Sequence, residues 1–117
     1  MIQWDIWNVK QQHARKTLVP TQPNDSSNYD RMYVIVADLS GRKTAICCPI
    51  QNLGFGAGIT EVPLPKNYAQ FITKDSKIVC HDIFTLPVHF FDKKVGFVRP
   101  PEQDQIQTAL ILVFDLT

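Results

Sequence analysis

The chain has too few cysteines for a disulfide scaffold: three in 117 residues, two of them adjacent (Cys47, Cys48). An odd, unspaced set of this kind leaves reduced and buried thiols as the expectation. Three histidines and three cysteines occur without a Cys-x-x-Cys or His-x-x-x-His pair, so a zinc site is not expected and no cofactor is implied. No apolar run approaches the roughly 18 residues of a membrane span. Residues 2–5, Ile-Gln-Trp-Asp, are not the basic start of a secretion signal, and a cytoplasmic protein without membrane contact is expected. Charge of one sign is also missing. A formal net charge of +1 excludes a protein that coats nucleic acid through a global basic field. It leaves room for a local basic cleft, and residues 10–16, KQQHARK, carry Lys10, His13, Arg15 and Lys16 with no acid among them. Glycine is scarce, five in all. Gly54, Gly56 and Gly58 fall together in NLGFGAG (52–58), but no Lys-Ser/Thr follows and no helix begins there, so the stretch reads as a turn and not as a phosphate loop.

What the sequence holds in quantity is short stretches of strand character. IQWDIWNV (2–9) alternates Ile2, Trp4 and Ile6 and predicts a first strand. RMYVIVADL (31–39) and KTAICCPI (43–50) predict a hairpin across Ser40-Gly41-Arg42, with Pro49 at a strand end or edge. ITEVPLP (59–65), KIVCHDIFTL (77–86) and the end of HFFDKKVGFV (89–98) add strands, and KNYAQFITKDS (66–76) a helical turn. From Pro100, with Glu102 and Asp104 in the first turn, a helix is predicted to residue 116. Ile106, Leu110 and Val113 form one stripe of it, while Leu112 and Phe114 lie on other faces, so some apolar surface is expected to meet a second subunit or the chain's own sheet. Over residues 10–30 periodicity disappears and PTQPNDSSNYD is dense in Pro, Asn, Asp and Ser, which predicts a long loop of the kind used as a lid or binding loop. By length, residues 1–117 make one domain. The pattern predicts a mainly β fold, a small, twisted, partly closed antiparallel barrel with a C-terminal helix.

KIVCHDIF (77–84) sets Cys80, His81 and Asp82 side by side. On a continuous strand successive side chains point to opposite faces, which puts Cys80 with Asp82 and sends His81 the other way. Nucleophile, base and orienting acid must converge, so a consecutive triad is excluded. Asp82, among Ile78, Val79, Ile83 and Phe84, is left as a carboxylate that burial would penalise unless it is hydrogen-bonded.

Taken in order, the segments resemble the MazF/PemK-like toxins, mRNA interferases of bacterial toxin–antitoxin pairs. DIWNV is similar to the family's Gly-Asp/Glu-Ile-Trp-x-Val first strand, with Trp4 where glycine usually stands. RMYVIVADLSG resembles its Arg-Pro-Val-x-Val-Val strand with Met32 for proline, AICCPIQN its strand ending in Val-Pro-x-Thr, and SKIVCHDIFTL its Val-x-x-Asp-Gln-x-Arg-Thr-Ile stretch. The tail from KKVGFVRPPEQ resembles the Gly-x-Leu-x-Pro-Glu turn before the last helix. Residues 10–30 have no counterpart to the family's first loop.

The resemblance implies an SH3-like barrel of the CcdB/MazF type, a homodimer, metal-independent cleavage of single-stranded RNA, and control by an antitoxin protein. It carries the catalytic arginine onto Arg31, an aspartate facing the RNA onto Asp82, and the usual threonine or serine onto Gln51. Lys10, His13, Arg15, Lys16, Asn52 and His81 are the expected RNA-binding residues beside these. In cleavage by the substrate's own 2′-hydroxyl, a base takes the proton, a cation stabilises the phosphorane, and an acid protonates the leaving oxygen; arginine's forked donors fit the phosphorane oxygens. Two other readings share the fold. One is a non-catalytic toxin that binds a protein target such as gyrase, for which the apolar end ILVFDLT is the relevant feature. The other is a degenerate member that keeps RNA binding or dimerisation only, to which Gln51 and the altered loop point.

Overall fold

The computed structural model describes residues 1–16 and 29–115. Among these residues nine strands and one α-helix, with three single-turn 3-10 helices between strands, follow in order: β1 (Asp5–Val9), β2 (Arg15–Lys16), β3 (Tyr29–Asp30), β4 (Met32–Leu39), β5 (Thr44–Asn52), β6 (Glu61–Leu64), β7 (Ser76–Val79), β8 (Phe84–Pro87), β9 (Phe91–Phe97) and α1 (Pro100–Phe114). Seven strands form one antiparallel sheet in the order β6-β7-β5-β4-β1-β9, with β8 also paired to β5. β2 and β3 make a separate ladder, Arg15 opposite Asp30 and Lys16 opposite Tyr29. Of the predicted loop 10–30, its two ends are therefore paired, and residues 17–28 lie outside the described residues, as do residue 116, the last of the predicted helix, and residue 117.

The hairpin β4–β5 is the spine of the sheet, and its sequence is apolar on both faces because both faces are covered. On one face Ile6, Val34, Cys48, Ile50, Val62, Leu64 and Ile78 pack with Tyr68, Ile72 and Val98 and with Ile106 and Ala109 of α1. On the other, Val9, Tyr33, Ile35, Ala45, Cys47, Leu86 and Phe91 form a second core with Trp7, Phe84 and Phe90 against it. A register shift between Ile35 and Ala37 bends the hairpin, as bulges do. Among the described strands β6 and β9 are the ends of the order and do not pair with each other, so the barrel is a curved sheet without full closure.

Four expectations change. The first strand begins at Asp5, because Trp4 has φ 75°, a left-handed conformation that glycine adopts most readily. Trp4 holds it with its N–H on the Ile35 carbonyl (2.7 Å) and its own carbonyl accepting from Val98 N–H (2.8 Å), and its ring packs on the first core. Pro49 lies inside the central strand β5 and not at its end. The predicted strand 77–86 is broken into β7 and β8 by a turn. Three steps along β5, from Ile50 to Cys47, are matched by six along its neighbour, from Ile78 to Phe84. The break lies beside Pro49, which brings no N–H to the ladder. Residues 66–75 form turns without a helix, Tyr68 N–H bonding Pro65 O and Ile72 N–H bonding Ala69 O.

The helix starts on Pro100 and Pro101 with Glu102 in its first turn, as its residues dictate. No side chain of Arg99 caps it; Gln103 Nε2 donates to Val98 O (2.8 Å) and the Tyr68 hydroxyl donates to Glu102 Oε1 (2.7 Å). Only Ile106 and Ala109 are fully buried, while Ile111, Leu112 and Phe114 stay exposed. No helix among the described residues is long and apolar enough to cross a membrane.

Candidate functional site

The second face of the sheet carries polar groups at the end where β3 turns into β4. Asp30 is 1% exposed, and its Oδ1 accepts a hydrogen bond of 2.8 Å from Gln51 Nε2. Gln51 is itself 5% exposed. By alternation it shares the face of Cys47 and Pro49, and its register partner across β5–β7 is Lys77. Arg31, the next residue after Asp30, is exposed, and its carbonyl accepts from Val9 N–H (2.8 Å).

Tyr33 lies two residues along β4 from Arg31, opposite Pro49. Its ring is fully buried and meets Phe84 edge-on, centroids 6.2 Å apart at 82°. Arg15, opposite Asp30 in the small ladder, sets its guanidinium 4.2 Å from the Phe84 ring centre, a cation–π contact. The Tyr33 hydroxyl has no hydrogen-bond partner among the described residues. Burial first, then the charge of Asp30, holds its proton well above the usual phenol range; Asp82 acts in the same direction and Arg15 against it. Asp82 is half-buried, with its Oδ2 enclosed and unpartnered among the described residues.

The turn at 80–83 distributes the three adjacent residues differently from a strand. Cys80 is fully buried in the first core, its Sγ donating to Ile78 O at 3.8 Å. His81 is exposed and holds Thr60 Oγ1 through Nδ1 at 2.8 Å. Asp82 N–H bonds Val79 O at 3.2 Å, which closes the turn. Cys80 and Asp82 are thus not neighbours on one face, contrary to the strand expectation, and His81 does not enter the core. The triad stays excluded. Cys48 is pushed strongly upward by its side-chain hydrogen bond with Cys80 and by burial, and burial pushes Cys47 from 9.0 up to about 12; neither is the reactive thiolate that nucleophilic chemistry needs.

Of the residues expected from sequence, Arg15, Gln51 and Asp82 therefore gather around Tyr33 and Phe84, with Lys16 and Arg31 exposed at the margin. Others are elsewhere. His13 is stacked on Phe90, centroids 3.9 Å apart, with His89 edge-on to both rings. Lys10 is half-buried, its N–H on Phe90 O. Asn52 belongs to a cleft of about 160 Å³ with Met32, Phe71, Ile72, Thr73, Lys74 and Ser76. Among the described residues no group of three His, Cys, Asp or Glu is placed to hold a metal ion.

Sequence reasoning missed Asp30, Tyr33 and Lys77. Lys77 is 3% exposed, pairs with Glu61 Oε2 at 3.1 Å and donates to Gly56 O at 2.9 Å. Glu61 Oε1 in turn accepts from Gly58 N–H at 2.7 Å, so one buried ion pair fastens the 54–60 turn beside Gln51. The signal was parity: Lys77 alternates with Ile78 in a strand whose other face is core.

The fold recurs in solved toxins. The Mycobacterium tuberculosis toxin MazF-mt6 superposes with a TM-score of 0.70 at 17% identity, over 97% of this chain and 98% of that one. An endoribonuclease in complex with its cognate antitoxin, from a mycobacterial species, gives 0.70 at 12% identity over 100% and 97%. A further mycobacterial endoribonuclease gives 0.66 at 12% over 98% and 91%. At these identities the likeness is one of fold, and no protein of curated function matches by sequence. The class is the small curved-sheet toxin of MazF-like fold. The family described as PemK-like, MazF-like toxin of type II toxin–antitoxin system matches residues 3–114, and the chain belongs to it.

Proposed function

We propose that this chain is a toxin that cleaves single-stranded RNA without a metal ion. The observation that carries the reading is the composition of the second sheet face: exposed Arg15, Lys16 and Arg31 border a buried Asp30–Gln51 pair and the half-buried carboxylate of Asp82. Exposed cations attract the phosphate backbone. Arg31 stabilises the phosphorane, Asp82 takes the proton of the attacking 2′-hydroxyl, and the leaving 5′-oxygen takes its proton from solvent water. Gln51 has a different part from the threonine it replaces. Its NH₂ is engaged by Asp30, so it positions that carboxylate and presents a carbonyl oxygen instead of a phosphate donor. Because a mycobacterial relative of the same fold is an endoribonuclease bound to its cognate antitoxin, an antitoxin protein is the proposed partner here too. A homodimer is proposed for the exposed apolar residues Ile111, Leu112 and Phe114, which water leaves uncovered at a cost.

The test is incubation of the purified chain with single-stranded RNA in EDTA. Discrete fragments ending in a 2′,3′-cyclic phosphate are expected. Intact RNA at micromolar enzyme, with the protein folded, overturns the reading in favour of a non-catalytic member.

A further inference from the structure

We propose that the cleft between Asn52 and the 71–76 turn holds one nucleotide of the RNA beside the cut, with Phe71 stacking on its base and Lys74 facing its phosphate. The inference rests on the RNA reading above and adds to it a contact on the opposite face of the sheet from the groups that act on the scissile bond.

The lining of this cleft, about 160 Å³ in volume, includes Met32, Asn52, Phe71, Ile72, Lys74 and Ser76. Its place follows from the strands. Gln51 and Asn52 are successive residues of β5 and so point to opposite faces. Gln51 joins Asp30 on the second face; Asn52 opens onto the first, where Ile72 belongs to the core. Met32, packed against the same core, follows directly on Arg31. The cleft and the proposed catalytic groups are therefore two sides of one sheet end, and an RNA strand leaving Arg31 reaches the cleft by crossing that end.

The walls are fixed by the chain's own bonds. Asn52 is the register partner of Ser76. Leu53 N–H donates to Asp75 O (2.9 Å), Asn67 N–H to Ile72 O (3.0 Å) and the Ser76 hydroxyl to Lys74 O (2.8 Å). Phe71 lies against Gly96 of β9, where any side chain would collide with the ring, and it also lines a neighbouring cleft with Tyr68, Val95 and Phe97. Its ring is thus a partition between two hollows.

Lys74 brings a cation to a cleft whose lining, among the described residues, holds no carboxylate. Asp75, the next residue, turns its Oδ1 to Lys66 N–H at 2.8 Å instead. An aromatic wall, an amide and one cation match a nucleotide: the ring takes the face of the base, the Asn52 amide carries a donor and an acceptor suited to a base edge, and the ammonium attracts the phosphate. The volume points to part of a strand. It is below the roughly 300 Å³ of pockets that take up whole small ligands, so one base of a longer RNA suits it better than a nucleotide free in solution.

Fluorescence anisotropy with uncleavable 2′-O-methyl RNA tests this on the full chain in matched variants. Lys74→Gln and Lys66→Gln each remove one exposed cation from the same connection, but only the first is in the cleft. Lys74→Gln should flatten the dependence of log affinity on log salt by about 0.7, the step for one phosphate contact on a single strand, and Lys66→Gln should leave it unchanged. Phe71→Leu should weaken binding at least about fivefold, the lower end of what one stacked base contributes. Phe71→Tyr, which keeps the ring, should bind as the wild type does, with thermal melts showing each variant folded. In a parallel arm, RNA carrying 4-thiouridine beside the cut is irradiated, and attachment within residues 71–74 is expected. Attachment confined to residues 29–33 or 82–84, or the same salt dependence in Lys74→Gln as in Lys66→Gln, overturns the cleft and leaves the ribonuclease reading standing. A wild type that neither binds nor cuts RNA overturns both.

Discussion

Arg31 stands next to a buried carboxylate yet remains exposed, so its side chain is available to a substrate and contributes little to the core. Arg31→Ala is therefore expected to lower RNA cleavage about a hundredfold, near 2 to 3 kcal/mol of transition-state stabilisation, with the thermal melt unchanged. Full activity in that variant would remove the proposed chemistry. Cys47 gives a prediction about stability. Its thiol rises from 9.0 to about 12 in the folded state, so between those values the folded chain keeps a proton that the unfolded chain has lost. Stability is complete below pH 9 and declines as pH rises toward 12, at most about 1.4 kcal/mol per pH unit from this group. The fall in melting temperature between pH 8 and pH 10.5 should be smaller in Cys47→Ala than in the wild type. Equal falls would show that the thiol is not the source.

At the scale of the element, the outer neighbour of β5 is informative because it is interrupted. A continuous strand from 77 to 86 would have laid Cys80 and Asp82 on one face; the turn beside Pro49 sends Cys80 into the first core and leaves Asp82 half-buried with its charge felt at Tyr33. Lys77 anchors the near end of this element. Breaking a buried ion pair by removing one partner costs about 3 to 5 kcal/mol, so Lys77→Met should destabilise the chain on that scale in a urea melt. It should also speed amide hydrogen exchange at Gly56 and Gly58, which the pair fastens. The double change with Glu61→Leu should recover part of the loss, since no lone charge then stays buried. Exchange at Gly56 and Gly58 unaltered by Lys77→Met would mean that the turn is held by other contacts.

For the whole molecule, a sheet with a core on each face and a helix covering only part of one leaves apolar surface over. Ile111, Leu112 and Phe114 are 45%, 46% and 56% exposed, and Phe55 and Ile59 are 80% and 81% exposed. A second copy is the expected cover, through a two-fold interface in which one patch meets its equivalent. Light scattering at micromolar concentration should give twice the 13.3 kDa of the chain, and Leu112→Glu with Phe114→Glu should halve it. A wild type that scatters as a monomer would assign these residues to the antitoxin instead.

The sequence by itself determined most of the strands, the terminal helix and their order. β-branched runs from 31 to 39 and from 43 to 50 specify strands wherever they lie, and two prolines with an acid behind them start a helix, because these are effects of neighbours along the chain. The five segments resembling the MazF/PemK toxins were legible for the same reason, and so were Arg31 and Asp82 as candidates. Only the tertiary structure decided what each side chain meets. Gln51 reads as a weak substitute for threonine until Asp30, twenty-one residues away in sequence, is found on its amide. Tyr33 reads as one more strand residue until Asp30, Asp82, Arg15 and Phe84 arrive around it from three other strands and a turn. The break at Cys80 lies beside a proline in a different strand. Burial, charge and hydrogen bonding are set by groups that pairing brings together across the sheet, and a local pattern carries no record of which residue will stand opposite.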